Sequence, residues 1–192
     1  MASGPTDETA TLPKLEKEHI RILNTLVIVD NLPMLGIFRS VLSDFGIQNV
    51  RHGRNAQEVV SFLMSEPIDL VVIDDHAPLD GVKFLKTLRR GSGRLPNAVP
   101  VIFITAIAER ERIVAARDAG ANEILIKPFT PIQLKTRLEN SLFKPREFVE
   151  AAAYVGPDRR RRRDDGVEGD RRSDDRGGDR RQRAGTEADR RN

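Results

Sequence analysis

Between residues 23 and 143, short apolar runs alternate with stretches whose apolar side chains recur every three to four positions. Leu26-Val27-Ile28-Val29 is too short for a helix and apolar throughout, as a strand covered on both faces is. After Pro33, apolar residues at Met34, Leu35, Ile37, Phe38, Val41, Leu42 and Phe45 keep helical spacing up to Gly46. Residues 48–51 read as a short second strand. Asn55-Ala56-Gln57-Glu58 has the form of a capping box and opens a helix carrying Val59, Val60, Phe62 and Leu63, which Pro67 stops. Leu70-Val71-Val72-Ile73 is a third apolar run. Asp80-Gly81 then leads into a helix with Val82, Leu85 and Leu88. Residues 99–104 predict a fourth strand, 109–119 a helix with Ile113, Val114 and Ala116 inward, and 123–126 a fifth strand. Thr130-Pro131 is an N-cap with a first-turn proline, ahead of Leu134, Leu138 and Leu142 at i, i+4 spacing.

Regular alternation of five strands with five helices predicts an α/β domain with both sheet faces covered. The expected fold is a flavodoxin-like, doubly wound five-stranded parallel sheet in the order 2-1-3-4-5. Residues 1–20, polar and carrying Gly4, Pro5 and Pro13, predict a flexible lead-in to a domain at 21–145. Residues 146–155 read as a helical extension or linker, and 156–192 as a disordered tail with no output domain after Phe143.

Ligands of such a sheet sit past the carboxyl ends of the strands, where the strand order reverses. Those ends carry Asp30 after the first strand, Asp74-Asp75 after the third, Thr105 after the fourth and Lys127-Pro128-Phe129 after the fifth. Strands one and three are neighbours in this order, so Asp30 and Asp74 converge. Two carboxylates without His or Cys suit a hard cation such as Mg²⁺. A hydroxyl and an ammonium on the next two strands suit a phosphoryl group beside it. Singly, each residue reads as an ordinary cap, turn or solvated side chain. Their succession at four strand ends is what carries the chemistry.

The segments VIVDNLPMLGIFRSVLSDFG, PIDLVVIDDHAPLDG, VPVIFITA and AGANEILIKPF resemble the response-regulator receiver domains of two-component signalling, over roughly residues 23–143. The resemblance implies that Asp74 accepts a phosphoryl group from a phosphohistidine of a sensor kinase or phosphotransfer protein, with Asp75 as second candidate. It implies that Asp30, Asp74 and the backbone carbonyl of His76 hold Mg²⁺. Thr105 would bond the acyl phosphate and Lys127 would pair with a phosphoryl oxygen. A cis peptide before Pro128 is common in the family. Three departures stand out. The family's two adjacent acids after the first strand are read here as Val29-Asp30, and loss of one carboxylate predicts weak Mg²⁺ binding, by roughly 10- to 100-fold. The loop at 78–81 is one residue short, and Ile124 stands where an aromatic switch residue is common.

Charge changes the picture only at the end of the chain. Lys+Arg is 32 and Asp+Glu is 29. Residues 156–192 hold 13 of the arginines with 8 Asp and 2 Glu, so the preceding 155 residues are neutral overall. Asp-Arg-Arg recurs at Asp158, Asp170, Asp179 and Asp189, and Val167 is the one large apolar residue among them, which predicts disorder. The tail reads as a solvated spacer or a polyanion tether, reaching about 35 Å as a coil. Acids interrupt the arginine runs, and no aromatic follows Tyr154 to stack on bases. YVGPDRRRR also resembles a tail segment of some receiver proteins. The absence of Cys excludes thiolate chemistry, and no apolar run reaches the ~20 residues of a membrane span. With no signal peptide, a cytoplasmic location is expected. His19, His52 and His76 do not build an enzyme site; His19 and His52 are expected to be solvated. The expectation is a single-domain response regulator that contacts a kinase or phosphotransfer protein and an output protein. The alternatives are an adaptor that binds partners without phosphorylation and a nucleic-acid-associated protein working through the tail.

Overall fold

The computed structural model of the chain describes residues 17–75, 80–91, 96–151 and 153–160. Five parallel strands, β1 (Asn24–Ile28), β2 (Asn49–Gly53), β3 (Leu70–Asp74), β4 (Val101–Thr105) and β5 (Glu123–Ile126), form one sheet in the order β2-β1-β3-β4-β5. Helices α1 (Leu32–Phe45), α2 (Ala56–Ser65), α3 (Gly81–Arg90), α4 (Arg110–Asp118) and α5 (Pro131–Phe143) connect and cover them. This is the expected doubly wound order.

Strand alternation divides the core in two. Val27, Val29, Leu70, Val72, Ile102, Ile104 and Leu125 face one layer with Leu35, Phe38 and Leu42 of α1 and Leu134 and Leu138 of α5. Leu26, Ile28, Val71, Ile73, Val101 and Phe103 face the other with Val59 of α2, Val82, Leu85 and Leu88 of α3, and Ala116 of α4. Burying each large aliphatic side chain contributes roughly 1.5–3 kcal/mol, so β1, β3 and β4, buried along their lengths, dominate the stability of the sheet.

The helix ends follow the local signals. Asn31, Asn55, Asp80 and Thr130 cap α1, α2, α3 and α5 with side-chain oxygens. Gly46 closes α1 in the left-handed region at φ 107°. Glu58 reaches the backbone N–H of Arg54 rather than that of the cap residue Asn55, so the α2 start is a variant of the expected box. The second strand runs to Gly53, two residues beyond the sequence estimate.

Two segments differ from expectation. Lys17–Ile22 is a 3₁₀ helix whose Ile20 packs into the α1 layer, so the lead-in ends before residue 17 rather than at 20. Among the described residues of 146–155 none is helical. Phe148–Ala151 (β6) and Tyr154–Pro157 (β7) pair as an antiparallel hairpin. Gly156 and Pro157, assigned by sequence to the tail, are buried in it. The predicted disorder of 161–192 lies outside the described residues.

Arg89 explains why the hairpin docks. It leaves the last turn of α3 with 2% exposure. Its guanidinium donates to the carbonyls of Gly120 (3.0 Å), Asn97 (2.6 Å) and Val99 (2.8 Å) and to Asn122 Oδ1 (2.9 Å). The Phe148 ring of β6 lies over it at 5.7 Å. Gly120 has φ 99°, and a Cβ there would sit 2.9 Å from Arg89 Cγ and 3.1 Å from the Val155 carbonyl. Only glycine lets β7 approach so closely. Arg159 stacks on Tyr154 at 4.3 Å and pairs with Asp118 at 3.2 Å, and Arg146 donates to the carbonyls of Asn122 and Asp158.

Candidate phosphoryl-transfer site

The carboxyl edge of the sheet gathers the residues singled out from the sequence. Ile28 of β1 pairs with Ile73 of β3, which sets Asp30 and Asp74 at the ends of neighbouring strands. Asp74 ends β3 with its side chain 2% exposed, and Lys127 Nζ lies 2.5 Å from its Oδ2. Lys127 follows β5, where its N–H donates to the Thr105 carbonyl at 2.8 Å. The Lys127–Pro128 peptide is cis, as expected. Phe129 stacks on Phe38 of α1, ring planes 3° apart and centroids 6.2 Å apart, which anchors the loop that carries the lysine.

Thr105 ends β4 fully buried, but its hydroxyl donates to Asp75 Oδ2 at 2.9 Å, not to Asp74. The Ile107 N–H donates to the same Thr105 oxygen at 3.0 Å, closing the turn that leads to α4. Asp75 has no exposed side-chain surface. Arg112, from the first turn of α4, grips both its oxygens, with Nε 2.8 Å from Oδ2 and Nη2 on Oδ1. The bond to Asp75 raises the Arg112 guanidinium above its ordinary value. Arg112 also lies 3.7 Å from Asp80, the α3 cap. Gly81 makes room for this cluster: a Cβ there would be 2.8 Å from the Phe103 ring and 3.3 Å from Asp75. The sequence reading missed Arg112, because an arginine on a polar helix face carries no signal of an inward partner.

The β1 end corrects one expectation. Val29 is wholly buried in the α1–α5 layer, so it cannot stand where a second acid would face a metal. Asp30 is exposed, and its neighbour beyond the strand is Asn31, whose Oδ1 accepts from the Met34 N–H at 2.9 Å. The two polar residues after β1 are therefore Asp30 and Asn31, one carboxylate and one amide. His52, expected to be solvated, is half-buried and its Nε2 donates to the Val29 carbonyl at 2.7 Å. His19 is exposed. His76 and the short loop at 76–79 lie outside the described residues. Ile124 is half-buried against the α3–α4 layer, with no aromatic ring at that position.

The oxygens of Asp30 and Asp74 form a donor set suited to a hard cation that keeps most of its waters. Among the described residues no group of three or more His, Cys, Asp or Glu could hold a metal. No helix among them is long and apolar enough to cross a membrane.

Comparison with known proteins agrees with this fold. Residues 25–139 match the response regulator receiver domain. The chain is 32% identical over 118 residues to the chemotaxis protein CheY-3 of Vibrio cholerae, covering 61% of this chain and 89% of that protein. A response regulator from Thermotoga maritima superposes with a TM-score of 0.53 at 27% identity, over 62% of this chain and 97% of that one. The receiver domain of a Pseudomonas aeruginosa sensor histidine kinase, solved with magnesium in its active-site cleft, shares the fold (TM-score 0.54, 24% identity, 64% and 98% covered). With the expected strand order and a match that spans more than half of its length, the chain belongs to the response regulator receiver family of two-component signalling.

Proposed function

We propose that the protein is a phosphoryl-accepting response regulator, modified on Asp74, that signals in the cytoplasm through protein contacts rather than as an enzyme. The observation that carries this reading is the Lys127 ammonium 2.5 Å from the Asp74 carboxylate at the sheet edge. In the reaction an Asp74 oxygen attacks the phosphorus of a phosphohistidine on a sensor kinase or phosphotransfer protein. The P–N bond breaks, the imidazole leaves with its electron pair, and an acyl phosphate forms. Lys127 neutralises charge on the phosphoryl oxygens. Asp30 and Asp74, with the His76 carbonyl, would hold Mg²⁺, which supplies further neutralisation of the transferring group. Asp75 is the weaker acceptor, because both of its oxygens are engaged by Arg112 and Thr105.

Incubation with Mg²⁺ and a small acyl-phosphate donor tests this. Intact mass should show one added phosphoryl group in the wild type and none in Asp74→Asn. A wild type that stays unmodified at high Mg²⁺ overturns the reading in favour of an adaptor that binds without phosphorylation. The tail as a nucleic-acid tether is tested separately, by RNA and DNA binding across salt with and without residues 156–192.

A further inference from the structure

We propose that His52 is a positioning residue for the cation site: its ring N–H, on the Val29 carbonyl, holds the peptide that carries Asp30. The proposal rests on Asp30 as a Mg²⁺ ligand and adds what keeps that carboxylate in place.

The site begins where the ladder between β1 and β2 runs out. The two strands stay in register up to Ile28 and Gly53. The next backbone donor on the β2 side, the Arg54 N–H, goes to Glu58 Oε2 at 2.9 Å rather than back to β1. The start of α2 closes over the strand end so tightly that a Cβ on Gly53 would lie 2.5 Å from Val59 Cγ2. Val29 and Asp30 therefore lie past the last pair of the β1–β2 ladder.

His52 supplies one more rung, from a side chain. Its Nε2 donates to the Val29 carbonyl at 2.7 Å, and the residue is half-buried. The Val29 carbonyl, the Asp30 nitrogen and the Asp30 Cα belong to one planar peptide. Holding the oxygen thus sets the direction in which Asp30 leaves β1. The other side of Asp30 is held as well. Asn31 Oδ1 accepts from the Met34 N–H at 2.9 Å, and the Asn31 carbonyl accepts from the Leu35 N–H at 3.0 Å. Asp30 is exposed, but its backbone is clamped between a histidine of β2 and the first turn of α1. A cation that keeps most of its waters draws on few protein oxygens, so the cost of ordering each one counts directly against affinity. Groups that stand behind a ligand and orient it set metal affinity in this way.

The test titrates Mg²⁺ into the full chain, following the Asp30 and Asp74 amide signals by NMR. His52→Ala and His52→Phe, the second of which keeps a ring and removes the donor, should each weaken Mg²⁺ about five-fold, the equivalent of one neutral hydrogen bond. His52→Gln, whose amide still donates, should return the affinity to within about two-fold of wild type. With a small acyl-phosphate donor, the Mg²⁺ concentration for half-maximal phosphorylation should rise by the same factor in the two donor-free variants, and the rate at saturating Mg²⁺ should not change. Melting temperature checks each fold, and either donor-free variant serves if the other does not fold. Wild-type Mg²⁺ affinity in a folded donor-free variant overturns the proposal. A Gln variant as weak as the Phe variant also overturns it, because the bond is then not the cause. A rate that falls at saturating Mg²⁺ with unchanged affinity does the same. If wild type binds no Mg²⁺, the Asp30 reading fails and the proposal with it. If the affinities follow the expected order but no adduct forms, the Asp74 reading fails alone and the role of His52 in the cation site stands.

Discussion

Replacement of Arg89 by methionine keeps most of the side-chain stem in place and removes the guanidinium. Three carbonyls then lose a donor, those of Val99 and Gly120 in a buried setting and that of Asn97 in a part-buried one. Asn122 Oδ1 keeps the Val101 N–H at 2.9 Å and is only partly deprived. At about 2 kcal/mol for each buried acceptor left unmade, the loss is about 6 kcal/mol. The Phe148 contact adds about 1 kcal/mol. Against this stands a relief. Burial pushes the Arg89 guanidinium down to about 10 from 12.5, a cost of about 3 kcal/mol that the variant no longer carries. The net expectation is a loss of about 4 kcal/mol, or roughly 10 °C in Tm for a domain of this size. Urea titration and calorimetry measure it, and Arg89→Ala should lose more by the volume of the missing stem. A loss below about 1 kcal/mol in Arg89→Met would refute the view that this arginine organises the α3 end and the hairpin.

Further outcomes follow from the site and the hairpin. Asn31→Asp restores a second carboxylate beside Asp30 and keeps the α1 cap, so Mg²⁺ affinity by titration should tighten about 10-fold or more; unchanged affinity removes the account of weak binding. Val29→Asp should instead destabilise by more than about 3 kcal/mol in a denaturant melt, because it places a carboxylate in the core. Partial burial raises the Asp118 carboxyl, but hydrogen bonds from Arg117 and Arg159 outweigh it and hold it below its ordinary 3.8. Its contribution is therefore complete above 3.8 and lost as pH falls through the depressed folded value. The Tm difference between wild type and Asp118→Asn should hold steady near neutral pH and shrink as pH falls below the ordinary carboxylate value; a constant difference contradicts the assignment.

The doubly wound sheet was legible because β1, β3 and β4 each carry an unbroken apolar run and four of the five helices keep a side-chain cap. The strand-end residues were legible for the same reason: once the runs are placed, the residue after each is fixed. The one-residue error at Val29-Asp30 also has a physical reading. Val29 continues the apolar run and the in-out alternation beyond the last hydrogen-bonded pair, so it stays in the core although the strand has ended. The hairpin was not legible. Its strands are four residues each with little alternation, and its anchor, Arg89, lies about sixty residues earlier in a helix where arginine reads as solvated. The Asp75–Thr105–Arg112 cluster escaped because it depends on which way three side chains turn, and spacing along the chain does not encode that.

The docked hairpin has one further consequence, an optical one. Tyr154 is the only tyrosine in a chain without tryptophan, and it sits in β7 under the Arg159 guanidinium with its hydroxyl donating to the Pro157 carbonyl at 2.7 Å. Its emission therefore reports on a single place, the seam between the hairpin and the α4 end. The native protein carries its own probe there, and any partner, salt or phosphoryl group that loosens the seam can be followed by light without a label.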